Sequence, residues 1–225
     1  MEIKPIAYIY TDFKEKFGIP RQSGRAKSLT GEIVFVPEYR TDDALKGIEE
    51  FSHLWIIFDF SAAHTDKFSP TVRPPRLGGN RRVGVFASRS PYRPNSIGLS
   101  SVKLQGVRKT SENGTVLLVS GIDMLDATPI YDIKPYIPYA DCHADATGGF
   151  SDEFCGYRLS VFIPQELEAR VPPEKAAALR ECLGDDPRPA YQHDNKRIYK
   201  MTFCGFDVNF YVDSDKLYVT DIKKL

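Results

Sequence analysis

The stretch "VGVFASRSPYRPNSIGLSSVKL", residues 83–104, contains two apolar runs separated by a long and unusual connection. Val83–Ser88 and Ile97–Gly106 both have the β-branched, partly alternating composition of strands. The connection holds Arg89, Arg93, prolines and serines, whereas a tight hairpin needs only a short turn such as Asn-Gly. Because proline fixes φ and removes a donor, we expect a rigid, cationic segment between two strands at the rim of a β-structure.

Short strands punctuated by glycine and proline continue on both sides of this stretch. Further strand-like runs are Ile3–Tyr10, Glu32–Val36, His53–Phe60, Thr115–Gly121 and a piece near Ile130–Lys134. One helix is predicted at Thr41–Phe51, since apolar residues recur there at helical spacing. Many short strands and little helix favour a barrel or a sandwich over a doubly wound sheet. No GxGxxG motif follows a first strand, so a Rossmann-type cofactor site is not supported.

The character of the chain changes after residues 141–155, a small, polar, glycine-containing segment that is typical of a linker or long loop. Beyond it we expect a strand, a helix over Pro164–Leu183 that is either continuous or restarted at Pro172-Pro173, and a hairpin of Ile198–Val212 with Lys216–Ile222. The sequence therefore predicts a mainly β protein with a small α+β C-terminal domain over residues 155–225.

Several classes of protein are disfavoured by composition. No apolar run approaches the ~18 residues that a membrane span needs, and residues 1–9 have no signal-peptide pattern. We therefore expect a cytoplasmic protein with no membrane partner. The four cysteines form no CxxC pair, and no histidine lies at ligand spacing from them, so we expect no metal site.

The net charge is zero, with 30 basic and 30 acidic residues, yet the charges are distributed unevenly. From Lys67 to Ser111 there is no Asp or Glu, and the basic residues there are Lys67, Arg73, Arg76, Arg81, Arg82, Arg89, Arg93, Lys103, Arg108 and Lys109. Such a stretch either forms a solvated face that pairs with acids elsewhere in the fold, or it binds a polyanion. Composition alone leaves both interpretations open.

Four loops are unusually rich in proline, arginine and aspartate. They are "FGIPRQSG" (17–24), "SPTVRPPRLGGNRRVGVFASRSPYRPN" (69–95), "DMLDATPIYDIKPYIPYAD" (123–141) and "DPRPAY" (186–191). Proline-stiffened loops lose little entropy when they close on a ligand, and arginine offers a planar fork for phosphate or carboxylate. Loops of this kind on a barrel rim would form a binding site.

These loops resemble the motifs of the TsaA-like family of tRNA N6-methyltransferases (TrmO). The matching residues, in the same order, are "PRQ" (20–22), "PTVRPPRLGGN" (70–80), "GVFASRSPYRPNSIGLS" (84–100), "DATPIYDIKPY" (126–136) and "DPRPAY" (186–191). The resemblance covers nearly the whole chain. One departure is Ser96, where the family often has proline, although Pro94 and Asn95 beside it are retained.

The resemblance implies a fold and an activity that composition does not indicate. The fold would be a small antiparallel β-barrel over residues 1–145 that binds S-adenosylmethionine without a Rossmann sheet. The working unit would be a homodimer with the site near the subunit interface. The substrate would be threonylcarbamoyladenosine beside the anticodon of tRNA, which would receive a methyl group at N6.

The resemblance also implies which residues hold the cofactor. Arg21 and Arg89 would pair with its carboxylate, because a guanidinium binds a carboxylate bidentately. Gln22 would bind the adenine edge or the carboxylate, and Leu99 would pack on the adenine. The full set is Pro20, Arg21, Gln22, His64, Arg89, Leu99, Asp126, Ala127, Thr128 and Pro129.

The anticodon arm of the tRNA would be held by the acid-free stretch and by the last motif. The predicted RNA-binding residues are Arg73, Arg76, Arg81, Arg82, Tyr92, Arg93 and Arg188. Tyr92, between Pro91 and Arg93, is suited to stacking on a base. The alternative is that Arg73 and Arg76 pair with acids on the helix.

Methylation of N6 also needs a group that accepts its proton, because this nitrogen belongs to a urea-like linkage. The candidates are Asp126, Asp132, Tyr131 and His64, and the sequence does not choose among them. Three alternatives to the expected function remain: a methyltransferase of the same scaffold with another substrate, a non-catalytic RNA-binding barrel and, least supported, a metal-dependent hydrolase.

Overall fold

The computed structural model describes residues 2–65, 67–78, 81–189, 194–195 and 197–225. Its strands are β1 (Ala7–Thr11), β2 (Thr30–Phe35), β3 (His53–Asp59), β4 (Thr71–Val72), β5 (Val83–Gly84), β6 (Ile97–Thr110), β7 (Gly114–Ser120), β8 (Thr128–Pro135), β9 (Ser160–Phe162), β10 (Tyr199–Phe203), β11 (Phe206–Asp213) and β12 (Lys216–Lys224). Its α-helices are α1 (Pro138–Asp141), α2 (Gln165–Glu168) and α3 (Pro173–Gly184).

The N-terminal domain is a closed barrel of six antiparallel strands in the order β1-β2-β7-β6-β3-β8. Alternation along the strands fills its interior: on β3, Leu54, Ile56 and Phe58 point inward and are almost fully buried. Ile33 and Ile130 from neighbouring strands complete this layer with no exposed surface. The mainly β fold and the barrel are therefore confirmed.

The C-terminal domain is the expected α+β module. A four-stranded sheet in the order β10-β11-β12-β9 packs one face on α3, which buries Leu179 and Leu183. Each domain alone has a small core, but the buried side chains of both form one continuous cluster. The C-terminal domain is thus docked firmly on the barrel.

The predicted helix at Thr41–Phe51 is wrong. This segment forms two short 3₁₀ helices, Asp42–Leu45 and Ile48–Glu50, separated by Gly47 at φ +85°. The left-handed conformation of Gly47 interrupts the helical backbone. The apolar residues keep a helical spacing in the sequence, but they lie on both sides of this break.

The predicted barrel strand at Val83–Ser88 is also wrong. Only β5 is extended there, and it pairs with β4 in a separate two-stranded ribbon, after which Val85–Ala87 forms a 3₁₀ turn. Val85 is buried and Phe86 is 75% exposed, but among the described residues this run pairs with no strand of the barrel. The rim segment, residues 88–96, therefore connects this ribbon to β6 rather than joining two barrel strands.

The predicted strand Ile198–Val212 is two strands, because Cys204 and Gly205 lie at φ +50° and +77°. Two successive positive φ values make the tight turn that suits a two-residue hairpin between β10 and β11.

Candidate active site

A cavity of about 700 Å³ opens at one end of the barrel. Four segments form its walls: the loop at residues 16–22, the end of β3 with residues 60–63, the rim segment with the start of β6, and the turn at residues 123–128. The long connection between β5 and β6 is one wall of this cavity, which is why it is longer than a hairpin turn.

Most of the predicted cofactor residues meet in this cavity. Arg89 Nη1 donates to Gln22 Oε1 at 2.6 Å, so the rim segment and the loop before β2 are joined across the opening. The predicted residues that line the cavity are Pro20, Arg21, Gln22, Arg89, Leu99 and Thr128, together with Tyr92 and Arg93 from the RNA-binding set.

His64 lies just outside the cavity wall. Its Nε2 is 2.7 Å from Asp59 Oδ1, and Asp59, which is only 8% exposed, lines the cavity. The imidazole itself is largely exposed. His64 therefore contacts the cavity through Asp59.

Asp126, Ala127 and Pro129 do not line the cavity. The Asp126 carboxylate accepts the Thr11 backbone N–H at 2.8 Å and the Lys14 ammonium, which fixes it against β1. Ala127, at φ 57°, forms a turn in which Thr128 Oγ1 donates to the Leu125 carbonyl at 2.7 Å. These residues shape the turn whose inner side faces the cavity, and their cofactor roles remain predictions.

Two proton-acceptor candidates lie on β8, outside the cavity lining. Asp132 pairs with Lys134 at 2.7 Å on an exposed face. Burial raises the pKa of the Tyr131 phenol, and the neighbouring Asp59 raises it further. The phenol therefore remains protonated at neutral pH and is poorly suited to accept a proton. Neither geometry brings the group to the cavity, and the catalytic roles of both remain predictions.

The most informative residue of the cavity, Asp123, was not among the predicted site residues. Its Oδ1 accepts the Ser100 hydroxyl at 2.6 Å, and burial raises the pKa of this carboxyl to about 6 despite hydrogen bonds from Ser100 and the Ser23 backbone. One feature of the sequence could have identified this residue: it is an acid shortly after the apolar run of β7. Its pairing with Ser100 depends on the barrel and cannot be inferred from sequence separation.

The floor of the cavity is apolar. Phe58 packs edge-on against Phe60 with ring centroids 5.0 Å apart. The Phe58 ring occupies the space where a side chain of residue 98 would begin, because a Cβ on Gly98 would lie 2.2 Å from Phe58 Cζ. Only glycine at this position lets the ring lie flat against β6.

A second polar centre, here called the interdomain cluster, consists of Arg21, Arg25, Arg76, Tyr157 and Asp185. Arg25 Nε donates to Asp185 Oδ1 at 2.6 Å, and the Asp185 carboxylate, 4% exposed, also accepts the Arg21 backbone N–H at 3.3 Å. Arg76 donates to the Asp185 carbonyl and lies 4.8 Å from the Tyr157 ring centroid. The cluster therefore joins the loop at residues 16–22 to the C-terminal domain.

Arg188 extends this cluster. Its Nε pairs with Asp186 Oδ1 at 2.8 Å, while its carbonyl accepts from Arg21 Nη2 at 2.7 Å. Its side chain is 11% exposed. The structure thus places Arg76 and Arg188 in intramolecular contacts, and their RNA-binding roles remain predictions. Ala190 and Tyr191 of the same motif lie outside the described residues.

Of the other predicted RNA-binding arginines, Arg93 is half-buried and donates to the Ser88 carbonyl at 3.2 Å, whereas the remaining three are exposed. Arg73, Arg81 and Arg82 flank the β4–β5 ribbon, and among the described residues none of them pairs with an acid. Within the described ranges, no cluster of acidic, histidine or cysteine side chains could hold a metal ion. No helix in that part of the chain is long and apolar enough to cross a membrane.

Comparison with known proteins places the chain in the class of tRNA methyltransferases. The family model described as "tRNA-methyltransferase O N-terminal domain" matches residues 8–142, and the "TrmO C-terminal domain" model matches residues 158–225. The chain belongs to this family.

Relatives and solved structures agree with this assignment. The chain is 38% identical to the "tRNA (adenine(37)-N6)-methyltransferase" of Escherichia coli, with 92% of this chain and 96% of that protein covered. It is 42% identical to a "putative S-adenosylmethionine-dependent methyltransferase" of Pseudomonas aeruginosa, covering 98% and 96%. A crystal structure of TrmO from Pseudomonas aeruginosa superposes with a TM-score of 0.77 at 34% identity, covering 99% of this chain and 98% of that one.

Proposed function

We propose that this protein transfers the methyl group of S-adenosylmethionine to N6 of threonylcarbamoyladenosine beside the anticodon of tRNA. The broader statement, a S-adenosylmethionine-dependent tRNA adenine-N6-methyltransferase, follows from its membership of the TrmO family over both domains. The observation that carries the proposal is that three of the family's motifs, those at residues 20–22, 84–100 and 126–136, meet around one cavity of about 700 Å³.

The cavity fits S-adenosylmethionine in size and chemistry. Its volume lies within the range of roughly 300–1,000 Å³ that is common for small-molecule sites. Arg89, exposed and held by Gln22, is placed to bind a carboxylate, while Leu99 and Pro20 offer apolar surface for an adenine. When bound, the cofactor would supply an electrophilic methyl group on a sulfonium.

The exposed arginines support a binding site for the anticodon arm. Arg73, Arg81 and Arg82 project from the ribbon that leads into the rim segment, and Tyr92 and Arg93 on that segment line the cavity. Phosphates bound along the ribbon would position a nucleotide at the cavity mouth, where Tyr92 could stack on a base.

A homodimer is also part of the proposal. Large apolar side chains around the cavity are exposed, with Phe86 at 75%, Leu99 at 55% and Tyr92 at 53%. A second copy packed over this face would bury Phe86 and complete the wall of the cavity, while the bound cofactor and base would cover Leu99 and Tyr92. Light scattering coupled to size exclusion would give twice the chain mass, and a monomer at micromolar concentration would contradict this part of the proposal.

The decisive experiment compares two tRNA preparations that differ only in the threonylcarbamoyl group. The purified protein is incubated with S-adenosylmethionine and each tRNA, and the nucleosides are analysed by mass spectrometry. We expect a 14 Da increase on threonylcarbamoyladenosine only. Equal methylation of unmodified adenosine would contradict the proposed substrate while leaving the methyltransferase assignment intact.

A further inference from the structure

Asp123 lies in the wall of the cavity, between the end of β7 and the turn that leads to β8. Three donors surround its carboxylate: the Ser100 hydroxyl at 2.6 Å, the Ser23 backbone N–H and its own backbone N–H. The carboxylate is therefore held against barrel strand β6 by Ser100 and against the loop before β2 by Ser23.

Asp123 differs from the other acids in and beside the cavity. Asp59 also lines the cavity, but it is bonded to His64. Asp126 is engaged by Lys14, and Asp132 by Lys134, both outside the cavity lining. Among the described residues, Asp123 is the cavity-lining carboxylate that forms no ion pair with a base.

We propose that the Asp123 carboxylate accepts the N6 proton during methyl transfer; this role rests on the proposed function. The N6 nitrogen forms a bond to the methyl carbon of S-adenosylmethionine as the carbon–sulfur bond breaks and its electron pair goes to sulfur. The N6–H bond breaks, its electrons stay on nitrogen and its proton goes to a carboxylate oxygen of Asp123. The protonated Asp123 then releases the proton to water at the cavity mouth.

The surroundings of Asp123 suit this role. A general base works best when its pKa lies near the working pH, and burial raises the pKa of Asp123 to about 6. The charged and titratable groups facing it are Arg89, which lowers this pKa, and, across the cavity, Lys16, Tyr92 and the Asp59–His64 pair. Ser100 donates to the ionised form and keeps Asp123 deprotonated at neutral pH.

The test is Asp123→Asn, which keeps the shape of the side chain and removes its basicity. We expect the single-turnover rate on tRNA that carries threonylcarbamoyladenosine to fall at least about 100-fold. Calorimetry should give a dissociation constant for S-adenosylmethionine within about threefold of wild type, since the role concerns the proton and not the cofactor. The matched control is Glu112→Gln, an exposed carboxylate in the β6–β7 turn, which should retain the wild-type rate.

The pH profile provides a second, independent readout. Wild-type kcat/KM should fall tenfold per unit below a pKa of about 6. Ser100→Ala removes a donor to the ionised carboxylate, so the acidic limb of the pH profile should move to higher pH. The rate on the plateau of the profile should change less.

Three results would overturn the role of Asp123. The first is an Asp123→Asn rate within threefold of wild type. The second is a parallel loss of S-adenosylmethionine affinity, which would make Asp123 a cofactor ligand. The third is an acidic limb that does not move in Ser100→Ala. If the wild-type protein transfers no methyl group to the tRNA, the proposed function fails, and the role of Asp123 fails with it. If the wild type is active and the Asp123→Asn variant is equally active, only the role of Asp123 is overturned.

Discussion

The arginines of the cavity wall and those of the interdomain cluster come from similar Pro/Arg-rich loops but have opposite surroundings. Arg89 is exposed and its described hydrogen bond is to the neutral Gln22 side chain. Arg25 and Arg76 are mostly buried and converge on Asp185, which comes from the other domain. An arginine that is paired with an acid stabilises the fold, whereas an unpaired one is available to a ligand.

The largest effect is expected at the acid of the interdomain cluster. Asp185→Ala removes the carboxylate that lies among Arg21, Arg25 and Arg76. Removal of one partner of a buried ion pair lowers the free energy of unfolding by about 3–5 kcal/mol. Urea unfolding should show that loss. The control is Glu32→Ala, which removes an exposed pair with Arg108 and should cost less than about 1 kcal/mol. Equal losses in the two variants would contradict the division.

The next effect concerns the cavity wall. Arg89→Ala should weaken S-adenosylmethionine binding about 30- to 100-fold, since hydrogen bonds to charged groups contribute about 1.5–3 kcal/mol. Stability should change little, because Arg89 is exposed. Calorimetry measures the affinity, and Lys27→Ala, an exposed cation before β2, is the charge-matched control. Unchanged affinity in the Arg89 variant would remove it from the cofactor site.

A third effect separates catalysis from stability at Asp123. Burial raises the pKa of this carboxyl from 3.8 to about 6, so the folded protein binds the proton more tightly than the unfolded chain. Stability should therefore fall as pH rises from about 4 to 6 and remain lower above that range. Asp123→Asn removes this cost, about 2 kcal/mol after allowance for its partial exposure, and should raise Tm by about 5 °C at pH 7.5. A lower Tm at that pH would show that the carboxylate stabilises the fold.

The smallest effect distinguishes two arginines of the acid-free stretch. Arg81→Ala should reduce the slope of log K for tRNA against log[salt] by about one and weaken binding about fivefold at 0.15 M salt. Arg76→Ala should leave this slope unchanged and lower Tm, because its guanidinium contacts Asp185 and Tyr157. Filter binding across salt concentrations gives both slopes. An equal change of slope in both variants would place Arg76 on the RNA.

The sequence predicted the fold class because strand alternation is a local property. The family resemblance, carried by loops whose composition differs from that of the strands around them, predicted ten cofactor residues, and the structure brings six of them to the cavity lining. It failed where the deciding contact is remote or a single backbone angle matters. The Thr41–Phe51 helix is broken by Gly47, and the partner of Arg76 is 109 residues away along the chain. Asp123 was missed because Ser100 reaches it only through strand register.

Gly98 has a consequence for how this protein could be altered. Since the Phe58 ring fills the place of its missing side chain, the depth of the cavity depends on the absence of one methyl group. Alanine at position 98 must push the ring toward the ligand space, so the residues tolerated there are limited by the size of the bound molecule and not by strand preference. Paired substitutions, with a smaller side chain at position 58 and a larger one at position 98, would therefore change the size of cofactor analogue that the cavity accepts.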